Sequence, residues 1–343
     1  MHRTWTIDKQ GMYDPQFEHD ACGIALLAHI NGNPSHSIVS KSLIALQRLD
    51  HRGGRGANNS VGDGAGILTQ IPHKLFQTEW KRAGKLLMDA GKYGVGMFFL
   101  PKQEDTRKYC EEIIGNIIES EKMKLFGWRT VPTDGCILNG QAKETQPVIR
   151  QLFIVSPFEE PGDIKFERKL YGVRRKIEKA IKSVTFENNE SYYVVSFLAR
   201  TIVYKGLLLP EQLGDYYVDL NNELYESAMA KVHNRFSTNT IPSWQRAQPN
   251  RYVMHNGEIN TINGNVNWMK ARETEFKTDL IENVETLLPV IDSDGSDSAV
   301  FDNALEFLVL SGWSLPHAMM MIPEPWEKNK LMDDNKKSVL SVS

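Results

Sequence analysis

Short apolar runs alternate with amphipathic segments along nearly the whole chain. The run "GIALLAHI" (23–30) has the length and composition of a buried strand, and "NGNPS" after it reads as a turn. "HSIVSKSLIALQRL" (36–49) carries apolar residues at helical spacing, which predicts a helix. A glycine-dense loop, "DHRGGRGANNSVGDGAG" (50–66), leads into the strand-like "ILTQI" (67–71). Beyond it the pattern predicts a helix over 73–90, a strand "YGVGMFFL" (93–100) and a helix over 104–123. Strands follow around "WRTVP" (128–132) and at "VIRQLFIVS" (148–156), with a turn holding Cys136 between them.

The segment 161–183 reads as a charged amphipathic helix. "SYYVVSFLAR" and "TIVYKGLLL" (191–209) are strand-like and almost touch, as in a hairpin. More strands and turns are expected over 228–262, and a helix starting near Ser296. Strands come in clusters separated by helices and do not alternate strictly with them. That predicts an α+β layered fold with antiparallel sheet in preference to a doubly wound parallel one.

Composition narrows the function classes. The 343 residues suffice for one large domain or two small ones, with a sizeable core. A formal net charge of −3 gives no electrostatic reason to expect nucleic acid or an anionic membrane surface. No apolar run approaches the roughly 18 residues of a membrane span. The opening "MHRTWTIDKQGMYDPQFEHDA" lacks the apolar core of a secretory signal. Cys22, Cys110 and Cys136 are widely spaced with no C-x-x-C pair, so neither a disulfide framework nor a metal site is expected. A reducing, cytoplasmic compartment is the resulting expectation.

Candidate chemistry sits in a few dense stretches. Cys22 follows the charged Glu18-His19-Asp20 and opens an apolar run. It reads either as a small buried hydrophobe or as a nucleophile. The glycines of "GDGAG" (62–66) do not make a dinucleotide fingerprint, because a helix precedes and a strand follows them. They serve turns, or close approach of backbone to a ligand. In "HNRFSTNTIPSWQRAQPNRYVMHNGEINT" (233–261), Asn256-Gly257 reads as a hairpin turn. The same pair can aim an amide side chain and a backbone N–H at a developing oxyanion. Arg235 is either a surface residue or a bidentate carboxylate ligand. His233 and His255 also permit a cysteine-protease arrangement with Cys22, with Asn256 orienting the histidine. "DSDGSDSAVFDNALEFL" (292–308) fails as a calcium loop, since glycine falls at position four and Asn303 at position twelve. It reads as a helix start capped by Ser296 or Asp297, whose carboxylate could also accept an amino-acid ammonium.

Together and in this order, "HDACGI", "LDHRGGRGANNSVGDGAGIL", "HNRFSTNT-P-W--AQP", "HNGEINT" and "DSDGSDS" resemble the class II glutamine amidotransferase domain of glutamate synthases, at the N-terminal end of the large chain. The resemblance runs from about Phe17 to Lys337. It implies an N-terminal-nucleophile hydrolase fold, a four-layer αββα sandwich with mainly antiparallel sheets, incomplete at the C-terminus. It divides the chain into a propeptide (1–21), a partial amidotransferase domain (22–337) and an atypical tail (338–343). It further implies that cleavage before Cys22 frees the nucleophile, with Asn256 and Gly257 holding the oxyanion. Arg235 would grip the α-carboxylate of glutamine and Asp297 its α-ammonium, while Arg52 and Thr238 complete the substrate pocket. No cofactor is implied in this chain. FMN and an iron–sulfur cluster belong to a synthase region, absent here or supplied in trans, that receives ammonia and aminates 2-oxoglutarate. A small NAD(P)H-oxidising subunit would be a further partner. The alternatives are an N-terminal-cysteine amidase of other specificity and an inactive truncated remnant.

Overall fold

A computed structural model describes residues 23–53, 62–184, 192–234, 242–255, 259, 262–322, 330 and 332–340. The first half runs β1 (Ile24–Ala28), α1 (His36–Arg48), β2 (Ala65–Gln70), α2 (His73–Arg82), β3 (Tyr93–Leu100), α3 (Glu104–Ser120) and β4 (Lys124–Thr130). It continues through α4 (Gly140–Glu144), β5 (Val148–Val155), α5 (Ile164–Lys182), β6 (Tyr193–Leu198), β7 (Thr201–Gly206), α6 (Gln212–Tyr216) and β8 (Met229–His233). Helices α7 (Ile262–Arg272), α8 (Asp297–Leu310), α9 (Leu315–Met320) and α10 (Asp334–Leu340) follow.

The strands form two antiparallel four-stranded sheets, ordered β1-β8-β2-β7 and β4-β5-β3-β6. Strand β3 shows why the sheets stack. All eight of its residues are buried, so both faces must be covered. Side chains alternate across a strand. Accordingly Tyr93, Val95, Met97 and Phe99 join a cluster with Ile67, Val203 and Val232 of the first sheet. Phe98 and Leu100 point the other way, into a second cluster with Ile114 of α3 and Phe166, Leu170 and Ile177 of α5. Helix α1 lies against β1 and β8. The layers are therefore helix, sheet, sheet, helix, the α+β sandwich expected from the motifs.

Four expectations are corrected. The run after residue 22 is an edge strand, half-buried at most positions, with Leu26 61% exposed, and not a buried core strand. Its apolar character serves one face and one neighbour only. The two runs at 191–209 are not a hairpin: β6 pairs with β3 and β7 with β2, so the corner between them carries the chain from one sheet to the other. Two adjacent apolar strands look alike in sequence whichever sheet each joins. Helix α2 stops at Arg82, eight residues short of the predicted end, where Gly84 turns the chain with φ +75°. Over 228–262 the described residues contain one strand, β8, and helix α7 begins at Ile262 without an apolar stripe to announce it.

Phe153 of β5 is fully buried, with its ring edge-on to Phe76 at 5.0 Å and to Trp80 at 5.2 Å. Truncation there leaves a ring-sized void in a close-packed interior. Phe153→Ala is expected to lower stability by about 3–5 kcal/mol, measured by denaturant unfolding.

Candidate active site

The register of β1 and β8 brings distant stretches to one end of the first sheet. Ile24 pairs with His233, the last residue of β8, and His233 also faces Gly66 of β2. One step on, the Asn234 N–H donates to the Gly23 carbonyl at 2.8 Å. Residues adjoining Cys22 and Arg235 are thus hydrogen-bonded to each other. The Asn234 side-chain amide donates to the Leu49 carbonyl at 2.7 Å and ties in the 3₁₀ turn Asp50–Arg52. His233 Nε2 lies 3.0 Å from the His255 carbonyl, directly before Asn256. A carbonyl can only accept, so Nε2 carries the proton.

Helix α8 contributes from the other side. Of the two candidate caps Ser296 is the one used, its Oγ accepting from the Ala299 N–H at 3.3 Å. Asp297 is therefore the first helical residue, where the helix dipole favours a negative charge. Its Oδ2 accepts from the Ile259 N–H at 3.3 Å, two residues past Gly257. The flanks of every sequence-derived block thus meet. Cys22, Arg235, Thr238, Asn256, Gly257 and the Arg52 side chain themselves lie outside the described residues.

The glycines of "GDGAG" have a backbone explanation at two positions. Gly64 holds φ +119°, which L side chains rarely adopt. A Cβ on Gly66 would stand 2.3 Å from the Gln248 carbonyl oxygen, so the sheet accepts the 247–249 segment only because the side chain is missing.

The profile of the class II glutamine amidotransferases matches residues 22–341. The chain belongs to this family. It is 47% identical over 331 residues to the glutamate synthase [NADPH] large chain of Bacillus subtilis, covering 96% of this chain and 21% of that protein. It is 42% identical to the glutamate synthase [NADH] of Saccharomyces cerevisiae over 98% of this chain and 16% of that one. Identity to the ferredoxin-dependent glutamate synthase 2 of Synechocystis is also 42%, over 92% of this chain and 20% of the relative. The chain therefore spans between 16 and 21% of the length of these relatives.

Sequence reading missed the buried charges that back this candidate site. The segment before His255 has no strand neighbour among the described residues, and a carboxylate takes the neighbour's place. Asp302 Oδ1 accepts the N–H groups of Tyr252 at 2.7 Å and Val253 at 2.8 Å. Arg251 pairs with Asp302 at 3.2 Å and with Glu306 at 3.0 Å, and Glu306 also accepts from Arg174 of α5 at 2.6 Å. All four side chains are buried. The sequence signal was present in part, since Asp302 and Glu306 are charged residues four apart on a helix that is apolar past its first two residues but for them and Asn303.

Lys205 of β7 is also buried, its Nζ donating to the Gln245 carbonyl at 2.8 Å and lying 4.9 Å from the centre of the Tyr193 ring. Burial, reinforced by the Arg251 charge and only partly opposed by Asp302, pushes its ammonium down to about 7.

Two outcomes are expected. Asp302→Ala leaves Arg251 without one buried partner and orphans two amides, and should lower stability by about 3–5 kcal/mol in denaturant unfolding. For Lys205, the unfolded chain holds the proton between pH about 7 and about 10.5 while the folded chain does not, so this group makes stability rise with pH across that window. Below it both states are protonated and the slope vanishes. Unfolding of Lys205→Met over a pH series should lack that rise.

Proposed function

We propose that the chain hydrolyses glutamine to glutamate and ammonia through a thioester on Cys22. Removal of residues 1–21 would make Cys22 the first residue, and the family match beginning at residue 22 supports that boundary. A free α-amino group has a pKa of about 7.7–8.0, so it can take the thiol proton and return it near neutral pH. The thiolate attacks the side-chain amide carbon, and the Asn256 amide and Gly257 N–H stabilise the oxyanion, one such donor being worth about 2.7–4 kcal/mol. Ammonia leaves with the returned proton, and water then releases glutamate. Arg235 binds the α-carboxylate and Asp297 the α-ammonium, with Arg52 and Thr238 closing the pocket. A ligand lacking either charge leaves a pocket ion unpaired, which selects glutamine over plain amides.

The observation that carries this reading is the Asn234–Gly23 hydrogen bond, which sets the neighbours of Cys22 and Arg235 on adjoining rungs. The ammonia would pass to a synthase region bearing FMN and an iron–sulfur cluster, where 2-oxoglutarate is aminated. Relatives named for NADPH, NADH and ferredoxin are 47%, 42% and 42% identical to this stretch. The choice of electron donor therefore belongs elsewhere, with a small NAD(P)H-oxidising subunit as one means. The proposed compartment is the cytoplasm; no helix among the described residues is long and apolar enough to cross a membrane.

Intact mass before and after treatment with a glutamine-analogue electrophile tests the reading. Loss of residues 1–21 and a single adduct on Cys22 are expected. A folded chain that stays unprocessed and unlabelled, or a processed Cys22→Ser variant that still releases ammonia, would overturn it. Arg235→Ala should raise KM for glutamine about 10- to 100-fold, the worth of a charged hydrogen-bonded contact, with a smaller effect on kcat.

A further inference from the structure

We infer that Gln248 is a positioning residue for the oxyanion site, its side-chain amide clamping the backbone of His255 so that Asn256 and Gly257 are presented in one orientation. The inference rests on the glutaminase reading above.

Gln248 is 2% exposed. Its Nε2 donates to the His255 carbonyl at 2.7 Å, and its Oε1 accepts from the His255 N–H at 3.1 Å. A primary amide offers a donor and an acceptor side by side. Here both engage a single residue, as a partner strand does at a hydrogen-bonded pair of an antiparallel ladder. The His255 carbonyl takes a second donor from His233 Nε2 at 3.0 Å. Nε2 of Gln248 also lies 3.4 Å from Ser298 Oγ, in the first turn of α8 next to Asp297. One side chain thus joins the segment entering Asn256-Gly257 to the helix turn that carries Asp297. The clamp is itself supported, because the Gln248 main chain rests on Gly66 with no room for a Cβ between them.

The chemistry makes this placement matter. Oxyanion donors act only when they lie about 2.7–3.1 Å from the oxygen of the tetrahedral intermediate. A displacement of about 1 Å can lower the rate by about 100-fold. Substrate binding through Arg235 and Asp297 does not depend on that alignment, so a loosened turn should spare KM.

The test compares the full chain with Gln248→Met, which has similar volume and neither hydrogen-bonding group. Turnover of glutamine is expressed per Cys22 adduct formed with the glutamine-analogue electrophile, so that misfolded protein, which does not bind the analogue, does not count. The expected result is a fall in kcat of about 10- to 100-fold with KM changed less than about threefold. Gly66→Ala, which pushes on the Gln248 carbonyl without touching His255, should give the same split. Hydrogen–deuterium exchange supplies a readout independent of activity: peptides covering 250–262 should exchange faster in Gln248→Met, while β1 and β8 stay unchanged.

Unchanged exchange, unchanged kcat per labelled Cys22, or a rise in KM that accounts for the loss would each overturn the inference. If the parent chain is folded and shows no glutamine turnover, the glutaminase reading falls and takes the catalytic claim with it. The exchange contrast then separates that failure from failure of the clamp alone.

Discussion

The antiparallel rung between the start of β1 and the end of β8 is the constraint on which the site depends. Strand β1 is an edge strand of five residues whose only sheet neighbour among the described residues is β8. Its register therefore rests on one ladder, ending in the Asn234–Gly23 hydrogen bond. A slip of one residue would turn every β1 side chain to the opposite face. It would also carry Gly23 away from Asn234. Strand β8 is held more firmly, between β1 and β2, so the β1 end of the sheet, next to Cys22 in the chain, is referred to a central strand.

A second set of interactions fixes the wall opposite. Among the described residues the 250–255 segment joins no sheet ladder, and three of its N–H groups are met by side chains: Asp302 takes two, and Gln248 brackets a third residue. Arg251, Glu306 and Arg174 then tie that wall to α8 and α5. Buried ion pairs of this kind add little net stability over apolar packing, yet they tolerate few alternative geometries. That suits a site in which donor placement matters more than global stability. The same wall lies over Gly64 and Gly66, so the glycine-dense loop and the polar stretch are two halves of one packing requirement.

The family relation defines the scope of this chemistry. The chain covers about a fifth of its Bacillus relative and shares nearly half its residues there. Relatives named for NADPH, NADH and ferredoxin are similar over the same stretch. In this chain the stretch they share is a layered sandwich with the flanks of its motif blocks gathered at one end of a sheet.

Local patterns were enough for most elements: α1, β2, β3, α3, β5, α5 and α8 lie where apolar periodicity sets them, because each needs only its own residues to declare a buried face. The motif blocks were equally legible, since glycines, caps and charged residues act over a few positions. Pairing was not. That β6 and β7 belong to different sheets, and that the first apolar run lies at an edge, depend on contacts far apart in the chain. The amide clamp of Gln248 was invisible for the same reason, and the charge of Asp302 did not reveal which groups it meets. A polar residue in a polar stretch looks solvated until the fold removes the water and leaves it only protein partners. The chain's own order therefore specified which pieces exist and where the motif blocks fall along it, whereas packing alone chose their neighbours.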